Sequence, residues 1–121
     1  MDSPEKVDIE ELKYPIGRLP GMGSPSPKDI ENGIRTIDEF PTKIERAIFS
    51  LRTVDMQYRY RPQGWTISEV LQHCVDSHLN AFWRIKMALT EEEPKVPDYN
   101  ESRWVEQADG QKISPTNALN L

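Results

Sequence analysis

The sequence has 121 residues, 36% of them apolar and 29% charged, with a net charge of −5. That size suits one domain with a small interior, and the acidic balance offers no basic stripe for contacting nucleic acid. The single cysteine, Cys74, excludes a disulfide-built secreted domain. No run of about 18 uncharged apolar residues is available to span a membrane, and the acidic N-terminus has no signal-peptide core, so the expected compartment is the cytoplasm.

Residues 1–11 read as a flexible acidic tail, and residues 12–121 as one helical domain. Leu12 to Pro25 is rich in Pro and Gly and cannot form a long helix. It is expected to run extended, packed on a core through Tyr14, Ile16 and Leu19. Ser26-Pro27-Lys28-Asp29 then has the composition of a helix start, with Ser26 as cap, Pro27 in the first turn and Asp29 at the positive helix end. Ile30, Ile34, Ile37, Ile44, Ala47, Ile48 and Leu51 follow at helical spacing. Pro41 should bend this helix, which is expected over about Pro27 to Leu51.

A connection over Thr53 to Gln63 leads to Gly64-Trp65. Thr66-Ile67-Ser68-Glu69 reads as a capping box, in which the Thr66 hydroxyl accepts from the Glu69 N–H and the Glu69 carboxylate returns to Thr66. The helix it opens should reach Leu89 or Thr90, ahead of the acidic run Glu91-Glu92-Glu93 and Pro94. Asn100 to Gln107 is expected to form a short helix with Trp104 and Val105 buried. Asp109-Gly110 reads as a turn. Ser114-Pro115 repeats the cap-plus-proline signature, with Ala118, Leu119 and Leu121 at helical spacing beyond it.

On a helical wheel the second long helix gathers Ile67, Val70, Leu71, Cys74, Phe82, Ile85 and Leu89 on one face. His78 falls near the centre of that face and reads as a buried, satisfied histidine, and Cys74 as a small core residue. His73 falls to one side, beside Asp76 and Ser77. The two histidines are five residues apart and point about 140° away from each other, so one helix cannot bring both to one ion; a chelating pair needs a spacing of three or four. The sequence has no third histidine. Spacing alone leaves His73 an ordinary flank histidine, Asp76 a solvated or cross-helix carboxylate, and Trp65, Phe82, Trp83 and Trp104 packing residues.

The segment GWTISEVLQHCVDSHLNAFWRIKMALTEEEP, Gly64 to Pro94, resembles the second helix of the DinB/YfiT-like superfamily. LKYPIG (Leu12 to Gly17), Phe40-Pro41 with Lys43-Ile44, and PDYNESRW (Pro97 to Trp104) resemble other parts of the same branch, so the likeness runs over about Leu12 to Leu121. The resemblance implies an all-α fold, the N-terminal part of an up-down-down-up four-helix bundle, with two main helices and short helical pieces. It also implies a divalent metal, zinc or nickel, held by three histidines at one end of the bundle. The first of these, eight residues after the tryptophan of GWT, corresponds to His73. The other two come from an HxxxH pair on the last helix, and this sequence contains no such pair.

What the resemblance implies is therefore a C-terminally truncated member, with an incomplete site that would not hold its metal tightly. The intact relative would be a metal-dependent hydrolase or a transferase using a low-molecular-weight thiol of the bacillithiol type, acting on a small molecule, with no nucleic-acid or membrane partner. An open metal position can acidify water or a thiol. The alternative is a non-catalytic helical module whose apolar faces drive self-association, with a homodimer expected.

Overall fold

The computed structural model describes residues 7–21, 23–112, 114 and 119–120. Its described elements are helical: α1 (Ile9–Lys13), α2 (Pro27–Ile48), a single 3-10 turn (Asp55–Gln57), α3 (Ile67–Thr90), α4 (Glu101–Val105) and α5 (Ala108–Lys112). The short α1, capped by Asp8, crosses the boundary expected at residues 11 and 12. The segment after it does not pack. Ile16 is 99% and Leu19 85% exposed, and Tyr14 instead stacks under the Arg18 guanidinium at 3.9 Å.

The start of α2 is stronger than its composition suggested. Ser26 and Asp29 form a reciprocal capping box, with Asp29 N donating to Ser26 Oγ at 3.2 Å and Ser26 N to Asp29 Oδ2 at 2.8 Å. The helix runs through Pro41 and ends at Ile48, three residues short of expectation. None of its residues is fully buried, and its isoleucine stripe stands open, with Ile34 64% exposed.

The packed part of the molecule forms around the N-terminal half of α3. The connection into it is tied down by Arg52, which donates to Asp55, and by an antiparallel bridge between Arg59 and Thr66. Ile67 N donates to Tyr58 O at 3.0 Å. A tight turn precedes α3, with Gln63 at φ 60°. Gly64 is buried there. A Cβ on it would come within 2.7 Å of Arg61 Cγ and 3.2 Å of the Arg61 carbonyl oxygen, so close approach, rather than a left-handed backbone, requires glycine. The capping box at Thr66 and Glu69 forms as its sequence predicts, with distances of 2.8 and 3.1 Å.

α3 packs on the 3-10 turn, α4 and α5. The fully buried apolar residues among those described are Met56, Leu71 and Val105; Thr66, Gln72 and Asp76 are buried beside them. The apolar face that the wheel assigned to α3 is otherwise open, with Phe82 62% and Leu89 80% exposed. The C-terminal half of α3 is met instead on the side of Arg84, which donates to the Pro97 carbonyl at 3.0 Å. Val105 is buried as expected, but Trp104 is not; it lies against Tyr99 at 4.8 Å. Asp109 and Gly110 belong to α5 rather than to a free turn, because the chain coils on directly from α4. The start expected at Ser114-Pro115 rests on Pro115 and Ala118, outside the described residues. No helix among the described residues is long and apolar enough to cross a membrane.

Candidate functional site

The capping box fixes where α3 begins and so sets the register of every side chain after it. His73 follows the cap by nearly two turns. Its ring lies 4.9 Å from the Trp65 ring at a 43° tilt, and Trp65 is carried there by the turn that demands Gly64. Nδ1 of His73 is buried and has no hydrogen-bond partner among the described residues.

Beside it lies a buried polar pair. Gln72, only 2% exposed, donates from Nε2 to Asp76 Oδ1 at 3.0 Å. The other amide atom, Oε1, is buried with no partner among the described residues. Asp76 is itself buried. Burial pushes its carboxyl above the ordinary aspartate value, and Asp109 on α5 adds to the rise, while the Gln72 hydrogen bond and His73 pull the other way. Farther along, Asn80 caps the backbone carbonyl of Asp76 at 2.8 Å.

His78 is exposed, contrary to the wheel, and Phe40 of α2 meets it without burying it. Its Nδ1–H donates to the Cys74 carbonyl at 2.7 Å, and its ring stacks on Phe40 of α2 at 5.1 Å and 25°. It is thus satisfied, but by its own helix and by α2. Cys74 is half-buried, and burial pushes its thiol pKa up, away from the reactive thiolate. The structure does not bring the two histidines together, in agreement with their spacing.

A metal can be tested against these side chains directly. His73 offers one imidazole with an unpartnered, buried nitrogen, which suits a ligand. No group of three or more His, Cys, Asp or Glu side chains capable of holding an ion occurs among the described residues. The described residues therefore fit one position of a metal site and do not complete it. A surface hollow lies elsewhere, between the end of α2 and the 3-10 turn, lined by Ile48, Phe49, Leu51 and Met56, and contains neither histidine.

Sequence reasoning placed His73 and Asp76 side by side but missed Gln72 and the Trp65 contact. The signal for Gln72 was its position four residues before Asp76, a spacing that lets an amide meet a carboxylate on one helical face.

Comparison with known proteins identifies the family. The DinB superfamily model matches residues 36–119, more than half of the chain. A Bacillus mycoides (strain KBAB4) protein named "Putative metal-dependent hydrolase" is 37% identical over 101 residues, covering 84% of this chain and 58% of the relative. The "Putative metal-dependent hydrolase YfiT" of Bacillus subtilis (strain 168) is 34% identical over 110 residues, covering 91% of this chain and 62% of YfiT. The solved structure of YfiT, described as a probable metal-dependent hydrolase with an unusual four-helix bundle topology, superposes with a TM-score of 0.83 over 91% of this chain and 63% of that one. The chain thus spans about three-fifths of the length of these relatives. By the family model, by these identities and by the shared backbone, the chain belongs to the DinB superfamily.

Proposed function

We propose that this chain carries part of the site of a metal-dependent hydrolase, to which His73 contributes one ligand of a divalent ion, zinc or nickel. The observation that carries the reading is the buried, unpartnered Nδ1 of His73, since buried ring nitrogens are otherwise hydrogen-bonded. The names of the relatives, which describe metal-dependent hydrolases, support it. Such an ion, when bound, acts as a Lewis acid and lowers the pKa of a bound water or thiol. The use of a low-molecular-weight thiol, making the reaction an S-transfer, is the finer form of the proposal. The sequence holds two histidines, and His78 is committed to the Cys74 carbonyl and Phe40, so further ligands come from outside the described residues. Trp65 limits the rotation of the His73 ring and shields one of its faces from water.

Paramagnetic Ni2+ titrated into the protein separates the two histidines. The His73 ring resonances should broaden at a lower Ni2+ concentration than those of His78, and His73→Ala should remove the stronger site. Broadening centred on His78, or unchanged by His73→Ala, would sink the assignment.

A second reading is favoured by the open isoleucine stripe of α2: a helical module that self-associates through this face and the exposed half of α3. It predicts a homodimer in sedimentation, tested below by a charge placed on the stripe.

A further inference from the structure

Two buried polar atoms on neighbouring residues lack partners among the described residues, His73 Nδ1 and Gln72 Oε1. A buried amide oxygen left unpaired bears the full loss of its hydration, and native interiors rarely tolerate it. Gln72 is not loosely placed, because its Nε2 is held by Asp76 Oδ1 at 3.0 Å and the residue is 2% exposed. An ionised carboxylate is acceptor-only. It therefore takes the NH2 arm of the amide and turns the oxygen arm to the opposite side. A methionine or leucine at position 72 would fill similar space with no polar atom to satisfy, and a neutral residue at 76 would avoid burying a charge. Both polar residues instead occupy the interior while Phe82 and Leu89 of the same helix are left exposed.

We infer that Gln72 Oε1 is an acceptor for a small hydrogen-bond donor, a water or thiol hydrogen, bound on the side of the amide away from Asp76. Asp76 is the positioning residue that holds the amide with its oxygen presented. Only the location of the donor on a His73-bound ion rests on the function proposed above; the locked acceptor does not depend on it.

Crystal structures of the 121-residue protein, metal-free and soaked with Co2+ alone, test both parts. A water oxygen at about 2.7–3.2 Å from Gln72 Oε1 is expected, and in the soaked crystal the same water should lie on the Co2+ at His73. In Asp76→Asn the new amide can donate to Gln72 Oε1, so the glutamine should turn over and the water should leave, while the unfolding midpoint in urea stays equal or rises. Gln72→Met should lose the same water while its urea unfolding stays cooperative with an equal or higher midpoint, where a loss of fold would abolish the transition. The inference is overturned if a protein group donates to Oε1 in the wild type, or if the water persists in either variant. Water at Oε1 with no Co2+ at His73 would overturn the metal assignment and leave the acceptor standing.

Discussion

Glu69 closes the capping box of α3, and the same carboxylate faces Arg59 at 3.7 Å and receives Gln111 Nε2 at 3.3 Å. Arg59 also donates to the Gly64 carbonyl, so one side chain joins the turn, the start of α3 and α5. Burial pushes the Glu69 carboxyl up, but its hydrogen bonds to Thr66 and Gln111 and the charge of Arg59 outweigh that and leave its pKa lowered. Asp76 is shifted the opposite way, and the two residues should give opposite pH signatures. Glu69 stabilises the fold above its unfolded value, about 4.3, and that stability is lost as pH falls through its lower folded value. Asp76 is free of penalty below its unfolded value, about 3.9, and becomes increasingly destabilising as pH rises through its higher folded value. Urea unfolding from pH 3 to 8 should therefore show Glu69→Gln less stable at neutral pH, with the difference vanishing in acid. Asp76→Asn should be more stable at neutral pH, with its gain vanishing in acid. Loss of the cap in Thr66→Ala should cost roughly 1 kcal/mol.

α2 and α3 show what a sequence makes legible. Their caps, lengths and the passage through Pro41 follow from local chemistry, because a capping side chain and its target are three residues apart. The α3 boundaries, Ile67–Thr90, come out as the capping box and the acidic run imply. Burial does not follow from periodicity, since an apolar stripe is covered only if something packs on it, and the partner is not encoded in the stripe. This is why His78, Phe82 and Leu89 are exposed where the wheel predicts an interior. It is also why Gln72 escaped notice, since its importance comes from its burial rather than from its type. The same difference in cover should appear in hydrogen exchange. Amides of α2, a helix with no buried residue, should exchange through local opening at close to unprotected rates. Those around Leu71 to Asp76 should be the slowest in the protein. Equal protection in the two helices would mean that α2 is held by contacts its side chains do not make here.

For the whole molecule, Ile30, Ile34, Ile37, Phe82, Ile85 and Leu89 are each more than half exposed. An apolar face of that extent favours association. Sedimentation should show a dimer that Ile34→Glu shifts toward monomer by about tenfold or more in dissociation constant, because a charge on the stripe would have to be desolvated in the interface. A monomer at high concentration, unchanged by the substitution, would leave the face to another occupant. The family resemblance carried by Gly64 to Pro94 and its flanks was legible because the turn and cap that set His73 in register are local. No ligand beyond His73 was legible, since the sequence has no third histidine and the described residues gather no group of three ligating side chains.

The stack of Phe40 on His78 makes α2 a lever. Phe40 sits next to Pro41, and the arm back to Pro27 is 13 residues, about 20 Å of helix, so a swing of about 10° at this fulcrum would carry the far end roughly 3 Å. A tilt of α2 about this one contact, a turn and a half along α3 from His73, would therefore displace the start of α2 by ångströms.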